Sequence, residues 1–306
     1  MCINKIIDVF RHPGKLVAFL GTRGYLKWMD DETYLKILYQ AYIGHKLNLE
    51  NPKGFNEKLQ WLKLYDRQER YVELVDKYLV KDFVERKIGK EYVIPTLGIW
   101  DSVDDIDFSN LPNQFVLKCN HDSGGVIICK DKERLDISAI KNKLTRRLKM
   151  DFFFSGREWP YKSVKRKIIA EAYINDGINE DLNDYKFMCF NGVVRNSFVC
   201  TERRSGDGLK VTFFDKEWKK MPFERHYPVS NKKIDKPENY EKMIILAEVL
   251  AKDIPFVRVD LYDVNGKIYF GEMTFYPGSG FEEFTPFDWD TRMGSWLILP
   301  KKNRGC

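Results

Sequence analysis

The sequence predicts an α+β fold, a helical front followed by an antiparallel body. Up to Gly89 the apolar residues recur at helical spacing. Beyond it come short runs rich in β-branched and aromatic residues, separated by turn residues. Only two helical stretches, about 136–150 and 237–254, interrupt those runs. Strands that follow one another so directly pair most simply as antiparallel neighbours.

The elements follow in order. "INKIIDVFRHPGKLVAFLGTRGYLKWM" mixes large apolar residues with Lys5, Arg11, Lys15, Arg23 and Lys27 and carries almost no acid before Asp30. Gly14, Gly21 and Gly24 divide it into short amphipathic helices, which either pack on the body or dock on an anionic membrane leaflet. Residues 31–47 have helical spacing and an acidic start. "NPKGFNEKLQWLKLYD" opens with turn residues, and Asn56 is its expected helix cap. "YVELVDKYLVKDFVERKIG" reads as one helix that stops at Gly89. "EYVIPTLGIW" reads as a strand, and "DSVDDIDFSNLP" as a loop with a helical turn. The strands of the body are "QFVLKCN", "GVIICK", "KIIAEAYI", "DYKFMCFNGVVRNSFVC", "LKVTFFD" and "FVRVDLYDVNGKIYFGEMTF"; the last is a hairpin closed at Asn265-Gly266. Residues 1–50 are therefore expected to form a helical segment and 51–306 the body. Within the body, a glycine-loop part covers about 115–170 and a carboxylate-bearing part about 171–290.

Composition narrows the function. There are 51 Lys and Arg against 45 Asp and Glu, a net charge of +6 spread along the chain. That suits small anions or an anionic membrane surface and makes no nucleic-acid footprint. The six cysteines, Cys2, Cys119, Cys129, Cys189, Cys200 and Cys306, form no C-x-x-C pair, which argues against a zinc site. They read as reduced thiols of a cytoplasmic protein. No cleavable signal peptide is legible, and no run approaches the ~18 apolar residues of a membrane span.

Four stretches carry chemistry. In "FVLKCNHDSGG", Lys118 ends a strand, and Ser123, Gly124 and Gly125 form a pliant loop that either merely turns the chain or folds its amides over phosphates. It lacks the G-x-x-x-x-G-K-[ST] pattern of a P-loop. "IIAEAYI" is either an ordinary strand or a hinge. As a hinge, the backbone at Ala172 and Ile174 would meet an adenine edge while Glu171 accepts from its amino group. In "DYKFMCFNGVV", Lys186 points away from Tyr185 and Phe187 and is either solvated or a second phosphate contact. In the hairpin, Arg258 and Asp260 share a face, as do Glu272 and Thr274, and the turn brings Asp260 near Glu272. Two such carboxylates repel unless a cation lies between them. Oxygen ligands of this kind suit Mg²⁺, and Val257, Val259, Leu261, Ile268 and Phe270 are expected to face the core.

In this order the stretches resemble the ATP-grasp superfamily, and more closely the TupA-like ATP-grasp family of polysaccharide gene clusters. The resemblance rests on "GFNEKLQWLKLYD", "VDKYLVKDFV", "FVLKCNHDSGG", "IIAEAYI", "DYKFMCFNG" and "FGEMTFYPGSGF". It implies two α+β subdomains clasping a nucleotide, behind a helical N-terminal extension. It implies Lys77 and Lys118 on the phosphates, the latter also catalytic, and Ser123, Gly124 and Gly125 as the covering loop. Glu171, Ala172 and Ile174 would hold adenine and ribose, and Lys186 a phosphate. Asp260 and Glu272 would hold Mg²⁺, with catalytic Arg258 beside the acyl phosphate. The superfamily's usual Asn after the metal glutamate is Thr274 here, whose hydroxyl would ligate Mg²⁺ or hold a ligating water in its place.

The implied activity is an ATP-dependent ligase. It would join a uronic-acid carboxylate of a bacterial surface polysaccharide to a small amine, with ATP and Mg²⁺, in the cytoplasm or at the inner face of the membrane. A sugar kinase would use the same nucleotide site. A glycosyltransferase, the label members often carry, would need an Asp-x-Asp site, and "DDIDF" is a weak match.

Overall fold

The computed structural model describes residues 13–177, 182–202, 206 and 208–302. Residues 1–12 with Cys2, and the chain end with Cys306, lie outside them, as does the corresponding part of the membrane-docking expectation.

The described chain opens with α1 (Pro13–Thr22), α2 (Asp31–Ile43), α3 (Phe55–Tyr65), α4 (Arg70–Val75) and α5 (Val80–Ile88). Asp30 caps α2, its Oδ1 accepting from the Thr33 N–H at 2.8 Å, and Gly44 ends it in the left-handed region. α3 starts one residue before the expected cap. Gly54 is the N-cap, and the Glu57 carboxylate accepts from its N–H at 3.1 Å. Asn56 instead reaches across the molecule, its side-chain amide donating to the Glu282 carbonyl at 2.8 Å. The single helix expected up to Gly89 is two. The Asp76 carboxylate accepts from the N–H groups of Tyr78 and Leu79 at 2.8 and 3.2 Å, which stops one helix and starts the next.

Two antiparallel sheets follow. The first comprises β1 (Thr96–Trp100), β2 (Phe115–Cys119), β3 (Ile127–Cys129) and β4 (Ile168–Ala172), in the order β1-β4-β2-β3. β1 thus joins this sheet from upstream of residue 115. α6 (Ile137–Leu148) covers the face carrying Phe115, Leu117, Ile168 and Ala170. The short α7 (Phe153–Gly156) lies between α6 and β4.

The chain then continues through β5 (Asp184–Phe190), β6 (Val193–Thr201), β7 (Lys210–Phe214), a short β8 (Glu224–Arg225), α8 (Tyr240–Leu250), β9 (Phe256–Val264), β10 (Lys267–Thr274), β11 (Phe284–Thr285) and α9 (Asp288–Trp296). The second sheet has the order β10-β9-β5-β6-β7, and β8 pairs with β11. α8 packs under this sheet, the Tyr240 ring 5.6 Å from that of Phe187 and the Ala247 carbonyl against Cys189. The opposite face carries Asp184, Lys186, Arg258 and Asp260 beside apolar residues such as Phe198 and Phe213, and the candidate site lies there.

The N-terminal helices are packed on the body. Tyr34, Leu35, Leu38 and Tyr39 bury one face of α2 with Phe281, and Val17, Leu26 and Met29 pack against them. Arg157, 1% exposed, stacks on the Tyr34 ring at 4.4 Å and donates to the Leu26 and Met29 carbonyls at 2.8 and 3.3 Å. Deleting residues 1–28 removes Val17, Leu26 and one of those acceptors. We expect a loss of about 2–4 kcal/mol, read as a lower denaturation midpoint by circular dichroism. An unchanged midpoint would leave α1 without a structural role. No described helix is long and apolar enough to cross a membrane.

Candidate active site

The site face of the second sheet is organised in rows. Glu272 pairs with Asp260, Asp260 with Lys186, Lys186 with Phe198, and Phe198 with Phe213, so one row crosses all the strands. A β-bulge at Gly271 makes this possible. In plain alternation Glu272 would share the face of Ile268 and Phe270, which is core. The extra residue turns Glu272 and Thr274 to the face of Asp260 and Arg258. A side chain at 271 would meet the Tyr262 ring at 3.0 Å and the Asp260 carbonyl at 3.1 Å, so glycine suits the bulge. Gly271 within a strand pattern was the sequence signal for it.

The carboxylates were expected to repel one another, and the structure shows instead how the chain compensates them. The Arg258 guanidinium lies between them, donating to the two Asp260 oxygens at 2.6 and 2.7 Å and to Glu272 Oε1 at 2.9 Å. Lys77 Nζ donates to the other Glu272 oxygen at 2.8 Å. Lys186 pairs with Asp260 and, at 2.5 Å, with Asp184. Burial alone would push the Glu272 carboxyl up, but Lys77, Arg258 and Lys186 hold it well below the usual range. The same acids raise Lys186 against the opposing effect of its burial. The Thr274 hydroxyl donates to Glu272 Oε1 at 3.2 Å and touches the pair only through it.

A cavity of about 300 Å³ opens between the two sheets. Lys118, Glu171, Ala172 and Ile174 line it, together with Val116 and Ile128 from the first sheet and Asp184, Tyr262 and Gly271 from the second. Glu171 is buried and binds two lysines, Lys118 at 2.5 Å and Lys81 at 2.7 Å. Burial pushes its carboxyl up, but Lys118 and Lys81 bring it below the usual value. The Ala172 N–H donates to the Pro95 carbonyl at 3.0 Å, so a hinge contact at 172 has to use the carbonyl.

The glycine loop joins β2 to β3, with Gly124 in the left-handed region. Arg147 of α6 grips the Asp122 carboxylate and the Ser123 carbonyl. A Cβ at Gly125 would sit 2.1 Å from Asp122 Oδ2. Upstream, Asn120 donates to Asp76 at 2.7 Å and its carbonyl accepts from the Lys77 N–H at 3.1 Å. The loop and the lysine that reaches Glu272 thus share one anchor.

A second buried cluster supports the segment after β10. Lys63, fully buried, donates to Gln60 Oε1 at 2.9 Å and to the carbonyls of Gly156 at 2.7 Å and Ser279 at 2.8 Å. Burial pulls its pKa down to about 7, which Glu158 opposes, while burial pushes the Glu158 carboxyl up. Ser279 donates to Glu158, and Gln60 holds the Ser279 and Gly280 carbonyls at 3.0 and 2.9 Å.

The family model for TupA-like ATP-grasp proteins matches residues 57–298. The chain belongs to the TupA-like ATP-grasp family. No curated protein matches the sequence. Similar solved structures include a D-alanine–D-alanine ligase from Bacillus anthracis complexed with ATP, at 18% identity and a TM-score of 0.40 over 66% of this chain and 54% of that one. Another is the D-alanine–D-alanine ligase from Helicobacter pylori, at 13% identity and 0.43 over 81% and 68%. A third is D-cycloserine synthetase DcsG, at 14% identity and 0.41 over 73% and 69%. The chain spans little more than half the length of the first of these.

In this ATP-grasp chain the structure gathers Lys77, Lys118, Glu171, Lys186, Arg258, Asp260 and Glu272 along one cleft. Sequence reasoning missed Lys81, Asp184 and Tyr262, which line or brace that cleft, and Arg147, which holds its loop. Lys81 lies within the quoted "VDKYLVKDFV", one turn beyond Lys77, and was legible as a second cation on that segment.

Asp260 and Glu272 fit Mg²⁺, which takes one or two carboxylates and fills its shell with phosphate oxygens and water. Among the described residues no group of three or more His, Cys, Asp or Glu side chains converges as a metal cage.

Proposed function

We propose that the chain is an ATP-dependent ligase joining a carboxylate to an amine, with a uronic-acid unit of a bacterial surface polysaccharide as the acid. The observation that carries the reading is the Glu272–Asp260–Lys186 row beside the inter-sheet cavity, two acids held ready by Arg258 and Lys77. The cavity has apolar walls for a base, from Val116 and Ile128. Lys118, bound to Glu171 beside the cavity, would exchange that bond for a phosphate oxygen while Lys81 keeps Glu171 compensated.

In the reaction a carboxylate oxygen attacks the γ-phosphorus, the bond from that phosphorus to the β–γ bridging oxygen breaks, and ADP leaves. The amine nitrogen then attacks the acyl carbon, the C–O bond to phosphate breaks, and the proton shed by nitrogen passes to phosphate or solvent. Mg²⁺ on Asp260 and Glu272 would supply charge neutralisation between the phosphates. Lys77 and Lys186 orient those carboxylates, and Arg258 offers its guanidinium to the anionic group being transferred.

The test is ADP release with glucuronate or galacturonate, with hydroxylamine as a general amine that converts an acyl phosphate to a hydroxamate. Hydroxamate formed only with ATP and a uronate supports the ligase. A phosphorylated sugar formed without any amine would identify a kinase instead. Lys118→Ala should weaken ATP binding by about 1.5–3 kcal/mol, roughly ten- to a hundredfold. The shift in melting temperature produced by ATP should shrink accordingly. A full shift in the variant would remove Lys118 from the nucleotide site.

A further inference from the structure

Successive rows of the second sheet step away from the nucleotide cavity. Tyr262 and Asp184 pair in the first row and line that cavity; Glu272, Asp260 and Lys186 form the second; Arg258 stands in the third. Beyond the carboxylates, on the same face, lies another cavity of about 130 Å³. Lys186 and Arg258 form its inner edge, and Phe198, Val211 and Phe213 its floor. The floor continues the row that carries the carboxylates, because Lys186 pairs with Phe198 and Phe198 with Phe213. Its other wall is the segment anchored by Lys63 and Asn56, with Pro277, Gly278 and Glu282. Arg225, 3% exposed, lines it too, bound to Glu282 at 3.0 Å and to the Pro277 carbonyl at 2.9 Å. The Arg225 Nε is buried without a hydrogen-bond partner, which is unusual for a guanidinium.

We propose that this second cavity binds the acid co-substrate, as a single ring-borne monocarboxylate. The inference rests on the ligase reading and names the acceptor part of that site. Carboxylate recognition follows from Lys186, in the row that would hold the metal, and Arg258, in the next row, two cations that also brace Asp260 and Glu272 there. A ring with a non-polar face follows from the floor, since aromatic and aliphatic side chains cover C–H surface and offer hydroxyl groups nothing. The Arg225–Glu282 pair gives donors and an acceptor for the ring's polar rim. The volume admits one terminal unit, so a longer glycan has to extend outward past Leu209 and Tyr227 at the cavity's margin.

The experiment measures binding of D-glucuronate and D-galacturonate to the full chain loaded with Mg²⁺ and ADP, by titration calorimetry. Val211→Phe fills the floor, and Leu209→Trp narrows the half-buried margin if the first variant folds poorly. At least one uronate should bind the unaltered protein, and glucose, which lacks the carboxylate, at least about tenfold more weakly. Either filled variant should weaken the uronate at least about tenfold and leave ADP affinity within about twofold, a difference well above measurement scatter. Uronate binding that survives both substitutions overturns the proposal, as does equal binding of glucose or no uronate binding at all. The ligase reading fails separately. Uronate binding that the substitutions abolish, without ADP release or hydroxamate, sinks the ligase and keeps the cavity. Hydroxamate formation with an unchanged KM for the acid in both variants sinks the cavity alone.

Discussion

Asp260→Asn is expected to abolish turnover and to lower the stability of the metal-free protein by about 3–5 kcal/mol, the usual cost of removing one partner from a buried ion pair. Asp260 is 2% exposed and accepts both bonds of the Arg258 fork and one from Lys186. Neutralising it leaves two buried cations facing an amide that can also present N–H groups to them. Mutual repulsion of the two acids would have made the same variant more stable; the interposed guanidinium reverses the sign. Glu272→Gln should act in the same direction but less, about 1–2 kcal/mol, because its side chain is 35% exposed and water screens the loss. The pH dependence has a definite sign. The Glu272 carboxyl is depressed in the folded state, so its stabilisation is present above the ordinary carboxylate pKa and is lost as pH falls through the folded value. The metal-free protein should therefore weaken below about pH 4, and Glu272→Gln should flatten that part of the curve. Denaturant melts of both variants from pH 3 to 8 check this. An Asp260→Asn protein as stable as the unaltered one would mean that the fork is not formed in solution.

The second large effect is expected at Lys63, remote in sequence from the carboxylates. Lys63→Met keeps the volume and removes three donors at once, leaving the Gly156 carbonyl unpaired, the Ser279 carbonyl on Gln60 alone and the buried Glu158 without the nearby cation that opposes its upward shift. We expect about 2–4 kcal/mol of destabilisation from the lost bonds and the unsatisfied buried carbonyl. The accompanying change is local: the segment from Pro277 to Glu282 loses one of the two side-chain bonds to the carbonyl of Ser279, a residue in the left-handed region. Limited proteolysis should then cut near residue 280 in the variant and not in the unaltered protein. Lys63→Met with Glu158→Gln should recover part of the loss, because the unpaired acid goes with its partner. A single variant that melts within a degree of the unaltered protein would show that the cluster does not hold the segment.

Much of the fold was legible because its signals are local. Asn265-Gly266 between two apolar runs gives the β9–β10 hairpin, Gly89 ends α5, and the β-branched runs give the strands. Lys118 could be singled out by its place at a strand end before a glycine loop, and Glu171 and Lys186 by their places in strand-like runs. What receives each was not legible. Glu171 takes Lys81 as well as Lys118, and Lys186 takes Asp184 and Asp260, through pairings whose strand order is not written in any one stretch. The break at Asp76 was missed for the same reason. Its apolar spacing continues through the break, and only the bonds to Tyr78, Leu79 and Asn120 reveal it.

By itself the sequence determined the α+β order of elements, the glycine loop, the hairpin and the acids it brings near each other. These follow from period, turn chemistry and spacing, which act over a few residues. Only the tertiary structure decided which way those acids face and what neutralises them. Alternation puts Ile268, Phe270 and Glu272 on one side of β10, and the bulge at Gly271 moves Glu272 to the other. Arg258 then lies between the two acids, and Lys77, nearly two hundred residues earlier in the chain, closes the arrangement. Strand alternation is a local rule, but a one-residue insertion inverts it, and the bulge is held by the burial of Ile268 and Phe270 on one side and the cations on the other.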